Sequence, residues 1–422
     1  MNRWLFLLAV ALAACFTTGI FADEKLEKPE TPLWPQWRGP NRDGQVGGPS
    51  WPDRLSKDSL KQLWRIPLGP SYSGPIVADD LVFTTETKNK ASEAVVALDR
   101  KTGKERWRSE WKGAMTVPFF AAANGSWIRA TPATDGQRVF VAGMRDVLVC
   151  LNAKSGKEEW RVDFVKELKT PLPDFGFVCS PLLDGDFVYV QAGASFAKLE
   201  KQTGKIVWRT LNDKGGMLGS AFSSPIIATI AGKRQLIVQG REKLAGVDID
   251  KGEVLWSQPV PNFRGMNILT PMPVGDAIFT SSYGNKAWLY KVSHDKDRFT
   301  VAETWNNNTQ AYMSSPVQID GHAYLHLQNQ RLACIDLKSG KKTWTSDDRF
   351  GQYWSMVAQG RRILALDQRG ELFLIRANSE KFDVIDNLKV SADQTWAHLA
   401  VVGDELYIRE LNALAAYRWT QK

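Results

Sequence analysis

Four histidines and four cysteines are the first candidates for chemistry in this 422-residue chain. His322 and His326, in HAYLH, have the i, i+4 spacing that chelates a metal from one helical face. The residues around them alternate as a strand, which at about 3.3 Å per residue sets the two rings roughly 13 Å apart. They cannot share a metal. His294 and His398 stand in unrelated segments. Cys150, Cys179 and Cys334 lie in the apolar runs VLVCLN, GFVCSP and RLACID, and their wide, odd spacing suits buried thiols rather than a disulfide framework or a zinc site. There is no G-x-S-x-G elbow, phosphate-binding loop or dinucleotide fingerprint.

Rings and arginines gather elsewhere, and those residue types anchor binding. The segment SEWKGAMTVPFFAAANGSWIR (109–129) carries Trp111, Phe119, Phe120, Trp127 and Arg129. KTPLPDFGF offers Phe175 and Phe177, and NFRGMN offers Phe263, Arg264 and Asn267. Tyr312, Gln352, Tyr353, Trp354, Trp396 and His398 follow. The expectation is a funnel in which Arg129, Phe177, Arg264, Tyr353 and Trp354 ring one mouth and take an envelope protein partner or a small ligand. The competing arrangement packs the same rings as a lid or tunnel lining.

The elements that hold these loops are written in a repeat. LDRKTGKERWR (98–108) returns as LNAKSGKEEWR (151–161) and LEKQTGKIVWR (199–209), and more loosely as VDIDKGEVLWS (247–257) and IDLKSGKKTWT (335–345). The closing tryptophans are Trp107, Trp160, Trp208, Trp256, Trp305 and Trp344, at gaps of 53, 48, 48, 49 and 39 residues. Ahead of each stands a small residue and proline, then a turn, then alternating strands. In each phrase a glycine (Gly103, Gly156, Gly204, Gly252 or Gly340) can take the positive φ of a bulged hairpin. Asp99, Asn152 and Asp336 precede the turn and can accept from its free N–H groups. Four-stranded units of this length in tandem predict an all-β, eight-bladed β-propeller. Six blades end at the tryptophans above, and a seventh runs from Trp354 to about Val390. The eighth begins at Trp396 and lacks one strand. KQLWRIPL (61–68), with Trp64, supplies that strand from the N-terminal side and removes the open edge.

The phrase [D/N]-x-x-[T/S]-G-x-x-x-W resembles the tryptophan-docking motif of the pyrroloquinoline-quinone (PQQ) repeat family across residues 61–422. That resemblance implies that Trp64, Trp107, Trp160, Trp208, Trp256, Trp305 and Trp344 wedge against the next blade's turn. SEKFDVID departs from the pattern in blade seven, so the seam there is expected to be weaker. The family contains quinoprotein dehydrogenases, which use PQQ with calcium, adjacent cysteines and an Asp base. It also contains non-enzymatic propellers such as the lipoprotein of the outer-membrane β-barrel assembly machinery. Adjacent cysteines are missing here and no calcium triad maps onto the chain. The resemblance therefore implies a non-catalytic, monomeric scaffold without cofactor, and the alternative is a PQQ- and calcium-dependent alcohol or sugar dehydrogenase or a degenerate relative.

MNR followed by WLFLLAVALAA and polar DEKLEK reads as an export signal over residues 1–22, which directs the chain to the periplasm or cell envelope. LAAC offers a competing cut before Cys15, which would then carry lipid and anchor the protein to a membrane. Residues 23–60 read as an extended strap, with Trp34 and Trp37 in TPLWPQWRGPNRDG too apolar to dangle and Arg38 available to an acidic hairpin. A net charge of +8 is scattered through turns, without the basic cluster of a nucleic-acid footprint.

Overall fold

The computed structural model describes Met1 and residues 33–420 except Ser220, Asn285 and Asp297; the export signal and Cys15 lie outside the described residues. From Pro32 onward the chain is one compact unit. It consists of eight four-stranded antiparallel sheets. In the first blade the strands Ile76–Ala78, Leu81–Lys88, Ser92–Asp99 and Glu105–Lys112 follow in order from centre to rim. The two middle strands are buried almost throughout, because a blade is covered on both faces by its neighbours. The outer strand alternates, and Trp107 and Trp111 are its buried positions.

Ring closure uses the N-terminal strand. Leu60–Pro67 pairs antiparallel with Ala413–Trp419, so the last sheet contains both ends of the propeller. Helix is confined, among the described residues, to Phe164–Leu168 and two short 3-10 turns.

The docking phrase does two things at once. In blade one Asp99 Oδ1 accepts from the N–H groups of Lys101 and Thr102, while Gly103 takes φ +70°. A Cβ on Gly103 would stand 2.7 Å from the Trp64 indole of the blade before. Trp107 lies likewise on Gly156, Trp160 on Gly204, Trp208 on Gly252 and Trp305 on Gly340. Four of these indoles donate to a carbonyl of the turn they cover: Trp64 to Arg100, Trp107 to Ala153, Trp160 to Lys201 and Trp305 to Leu337, at 2.9–3.0 Å.

Two positions depart from the expected girdle. Trp256 donates to Gln235 Oε1 of its own blade at 2.7 Å, because the next blade replaces the glycine turn with HDKDRF. Trp208 covers Gly252 but its N–H has no partner, since Lys198 Nζ takes the Ile249 carbonyl at 2.9 Å. Trp344 donates to Asn378 O at 2.8 Å and packs on Phe382 over blade seven's divergent turn. Blade seven carries no tryptophan on its outer strand, Asp383–Lys389. There Trp51 and Leu55 of the N-terminal segment join the apolar cluster of blades seven and eight. Arg362 holds the Trp51 and Pro52 carbonyls, and Asp386 accepts from Leu55 N.

Candidate functional site

Residues 34–46 do not lie across the outside of the ring. They fill its centre and touch every blade. Trp34 exchanges both backbone hydrogen bonds with Val77 of blade one, and Pro35 O accepts from Thr134 of blade two. Arg42 donates to Ser180 and Pro181 of blade three and to Pro225 of blade four. Trp37 Nε1 donates to Thr270 of blade five, and Arg38 to Pro316 of blade six. Ala358 of blade seven bonds with Gly44 and Val46, and the Trp37 ring meets His398 of blade eight edge-on at 4.9 Å.

Carbonyls, not carboxylates, hold the two guanidiniums, which corrects the expected pairing of Arg38 with an acidic hairpin. Burial pulls Arg42 down to about 9 and Arg38 to about 10, so both remain cations at neutral pH. Convergent carbonyl dipoles stabilise a cation without a counter-ion, although Arg38 bonds only through Nη2 and its Nε has no partner.

The small-residue-then-proline signal explains the inner ring. Gly74 N donates to Thr131 Oγ1, Thr131 N to Ser180 Oγ and Ser180 N to Ser224 Oγ, each at 3.0 Å. Thr270 N donates to Ser315 Oγ at 2.9 Å. In blades two, three, four and six a hydroxyl thus caps the backbone of a preceding blade. Pro181, Pro225 and Pro316, which follow three of these hydroxyls, turn their carbonyls to the plug.

Above this floor opens a cavity of about 700 Å³, lined by the loops that lead from one blade's outer strand to the next inner strand. Tyr72, Trp396 and Tyr353 form a three-ring stack with centroid spacings of 4.4 and 3.6 Å. Tyr353 continues to Tyr312, Tyr283 and Phe263. Across the mouth Phe119, Phe120, Phe175 and Phe222 form a second run, ending under Arg241. Phe119 is 91% exposed, and Phe120, Met217 and Phe263 are also exposed at the rim. An apolar rim over a concave aromatic cavity is the form of a recognition surface.

Four of the five residues expected at this mouth line it: Arg129, Arg264, Tyr353 and Trp354. Phe177 does not. It is 2% exposed and packs on Phe164 in the core between blades two and three, while Phe175, two residues earlier, reaches the cavity. The Gly176 bend between them takes φ +72°, so strand parity does not carry through the loop. Trp37, expected in the strap, and His398, expected among the mouth residues, meet as the floor of the cavity. His326 is buried flat against Trp354, whereas His322 faces Asp336 at 3.7 Å.

Two buried carboxyls support the mouth from behind. Glu93 accepts from Trp111 Nε1 and from Met144 N of blade two, and burial raises it to about 7. Asp146 of blade two accepts from Gly193 N of blade three and is likewise raised to about 7 by burial. Neither lines the cavity. Its described lining contains no carboxylate, so the donor set does not suit calcium held beside a quinone.

A PQQ-repeat family model described as outer membrane protein assembly factor BamB matches residues 91–346. The outer membrane protein assembly factor BamB of Moranella endobia is 22% identical over 311 residues, 69% of this chain and 74% of the relative. The crystal structure of BamB from Moraxella catarrhalis aligns with a TM-score of 0.62 at 15% identity, covering 86% of this chain and 98% of that one. A quinohemoprotein alcohol dehydrogenase from Pseudomonas putida aligns at 0.50 and 13% identity, covering 93% and 81%, which is likeness of fold alone.

Proposed function

This chain belongs to the PQQ-repeat propeller family described as outer membrane protein assembly factor BamB, and on that premise we propose that it is a non-catalytic scaffold of the cell envelope. It engages an envelope protein through the aromatic mouth. The observation that carries the reading is the exposed rim of Phe119, Phe120, Met217 and Phe263 above a floor sealed by the chain's own plug. Large apolar side chains held in solvent on a rigid scaffold are retained for contact with something else. The matched relative and aligned structure named for assembly factors support the same reading. A dehydrogenase has weaker support, because its neighbour shares only the ring and the cavity lacks the carboxylates that calcium needs.

Export to the periplasm, with lipid on Cys15 as one route of anchoring, completes the proposal. Radiolabelled palmitate should enter the intact chain and not a Cys15→Ser variant if the anchor forms.

A photo-crosslinking residue at Phe119 tests the mouth. It should capture an envelope protein that the same residue at Val207, exposed on an outer strand, does not. Equal capture at both positions, or none at either, would overturn the reading.

A further inference from the structure

The mouth cavity has a chemical bias that partner binding alone leaves unexplained. Its described lining holds three arginines, Arg129, Arg241 and Arg264, and no Asp, Glu or Lys. Arg241 is engaged: it stacks on Phe222 at 4.7 Å and donates to the carbonyls of Met217 and Arg264. Arg264 lies over the Phe263 ring and is exposed at the rim.

Arg129 is different. Its Nε donates to Trp127 O at 3.2 Å, but its Nη2 is shielded from water and has no hydrogen-bond partner. Glu93, the acid that acts on it through space, already accepts from Trp111 and Met144. On the adjoining wall Trp396, stacked between Tyr72 and Tyr353, also has an indole N–H without an acceptor. Buried donors without acceptors are costly, and a cation without a counter-ion in an apolar site more so. What would satisfy this wall is an anion that brings its own oxygens.

The remaining surface sets the rest of the ligand. Tyr72, Tyr312, Tyr283, Phe222 and Phe120 present ring faces and edges, so the body opposite the anion must be apolar. A volume of about 700 Å³ falls within the range of small-molecule sites. The floor is closed by Trp37, fixed to Thr270 at 3.0 Å, so entry and exit share one mouth.

We infer that the mouth cavity binds a small carboxylic acid with an apolar or aromatic body, its carboxylate on the Arg129 guanidinium and its body among the rings. This rests on the reading of the mouth as a binding site and names the ligand class that site takes.

The test is a calorimetric titration of the full chain with N-acetyl-phenylalanine and, in parallel, with N-acetyl-phenylalaninamide, which keeps the ring and loses the charge. The acid should bind saturably and at least about tenfold tighter than the amide, about the value of one charge-assisted hydrogen bond pair. Arg129→Gln should bring the ratio near one, and Arg264→Gln should leave most of it. Equal affinities in the unaltered chain, or no binding of either probe, would overturn the inference. So would an undiminished ratio in a folded Arg129→Gln protein. The acid-to-amide ratio of the unaltered chain decides the matter even if that variant does not fold. If neither probe binds while the Phe119 crosslinker still captures its envelope protein, the ligand inference fails and the scaffold reading stands.

Discussion

Gly156 sits so close beneath the Trp107 indole that a methyl group on it would come within 2.4 Å of the ring. The same glycine takes φ +71°, so two independent demands fall on one residue. Gly321, at φ +75°, carries only the second, because nothing lies within 4 Å of the position its Cβ would occupy. The pair separates backbone strain from blade docking.

Gly321→Ala should therefore cost about 1 kcal/mol, the usual cost of placing alanine in a left-handed conformation. Gly156→Ala should cost a further 1–3 kcal/mol or so, as the indole is pushed off its seat. Denaturant midpoints of the two variants measure the difference. Equal losses would mean that the indole contact adds nothing to the ring.

The docking tryptophans should not respond alike to loss of their N–H. Trp107 donates to Ala153 O at 2.9 Å, whereas Trp208 has no acceptor because Lys198 occupies the equivalent carbonyl. Phenylalanine keeps most of the apolar contact and removes the donor. Trp107→Phe should be the more destabilising of the two by about 1 kcal/mol, a typical net hydrogen bond. A larger loss at Trp208 would contradict this account of the seam.

Glu93 predicts a pH effect whose sign follows from burial. Its carboxyl is raised from 4.5 to about 7 in the folded protein, so between those values the native state holds a proton that the unfolded chain releases. The stability it contributes is complete below about pH 4.5 and is lost as pH rises through 7. Glu93→Gln keeps the shape and cannot titrate. Relative to that variant, the unaltered protein should lose up to about 3 kcal/mol between pH 4.5 and 8, from 1.36 kcal/mol per unit. Parallel stability curves across that window would rule it out.

Periodic features were legible in the sequence and aperiodic ones were not. The tryptophan phrase recurs, so the eight sheets and the closing strand around Trp64 could be read from spacing. The mouth was legible only as a set of loops rich in rings. Phe175 and Phe177 have the same parity, and a positive-φ bend at Gly176 sends one to the cavity and the other to the core. Trp256 still packs against blade five but bonds within its own blade for a related reason: its own phrase is intact, while its seat belongs to the next repeat, whose turn has changed. The plug left no pattern because its turns, at Arg38, Gly39, Arg42 and Gly44, use positive φ throughout and obey no helix or strand period. Its partners are mostly backbone groups of the inner strands, which every propeller strand possesses.

The plug and the closing strand lie in one N-terminal segment, yet they do different work. Leu60–Pro67 closes the ring at the rim, while residues 34–46 tie the inner strands at the axis. A chain beginning at residue 47 keeps Trp51, Leu55 and the closing strand and loses only the axis. It should still fold as a ring with an unchanged far-ultraviolet spectrum. The amides of Val77, Thr134 and Ala358, which donate to Trp34, Pro35 and Gly44, should then exchange about tenfold faster or more, the equivalent of one lost hydrogen bond of 1–1.5 kcal/mol. The amide of Leu68, bonded to Asn412 at the rim, should keep its rate. Retained protection at the three axial amides would show that the inner strands hold their places without the plug. Failure of the shortened chain to fold would show that edge pairing alone cannot close eight blades, and that the axis is where the ring is made.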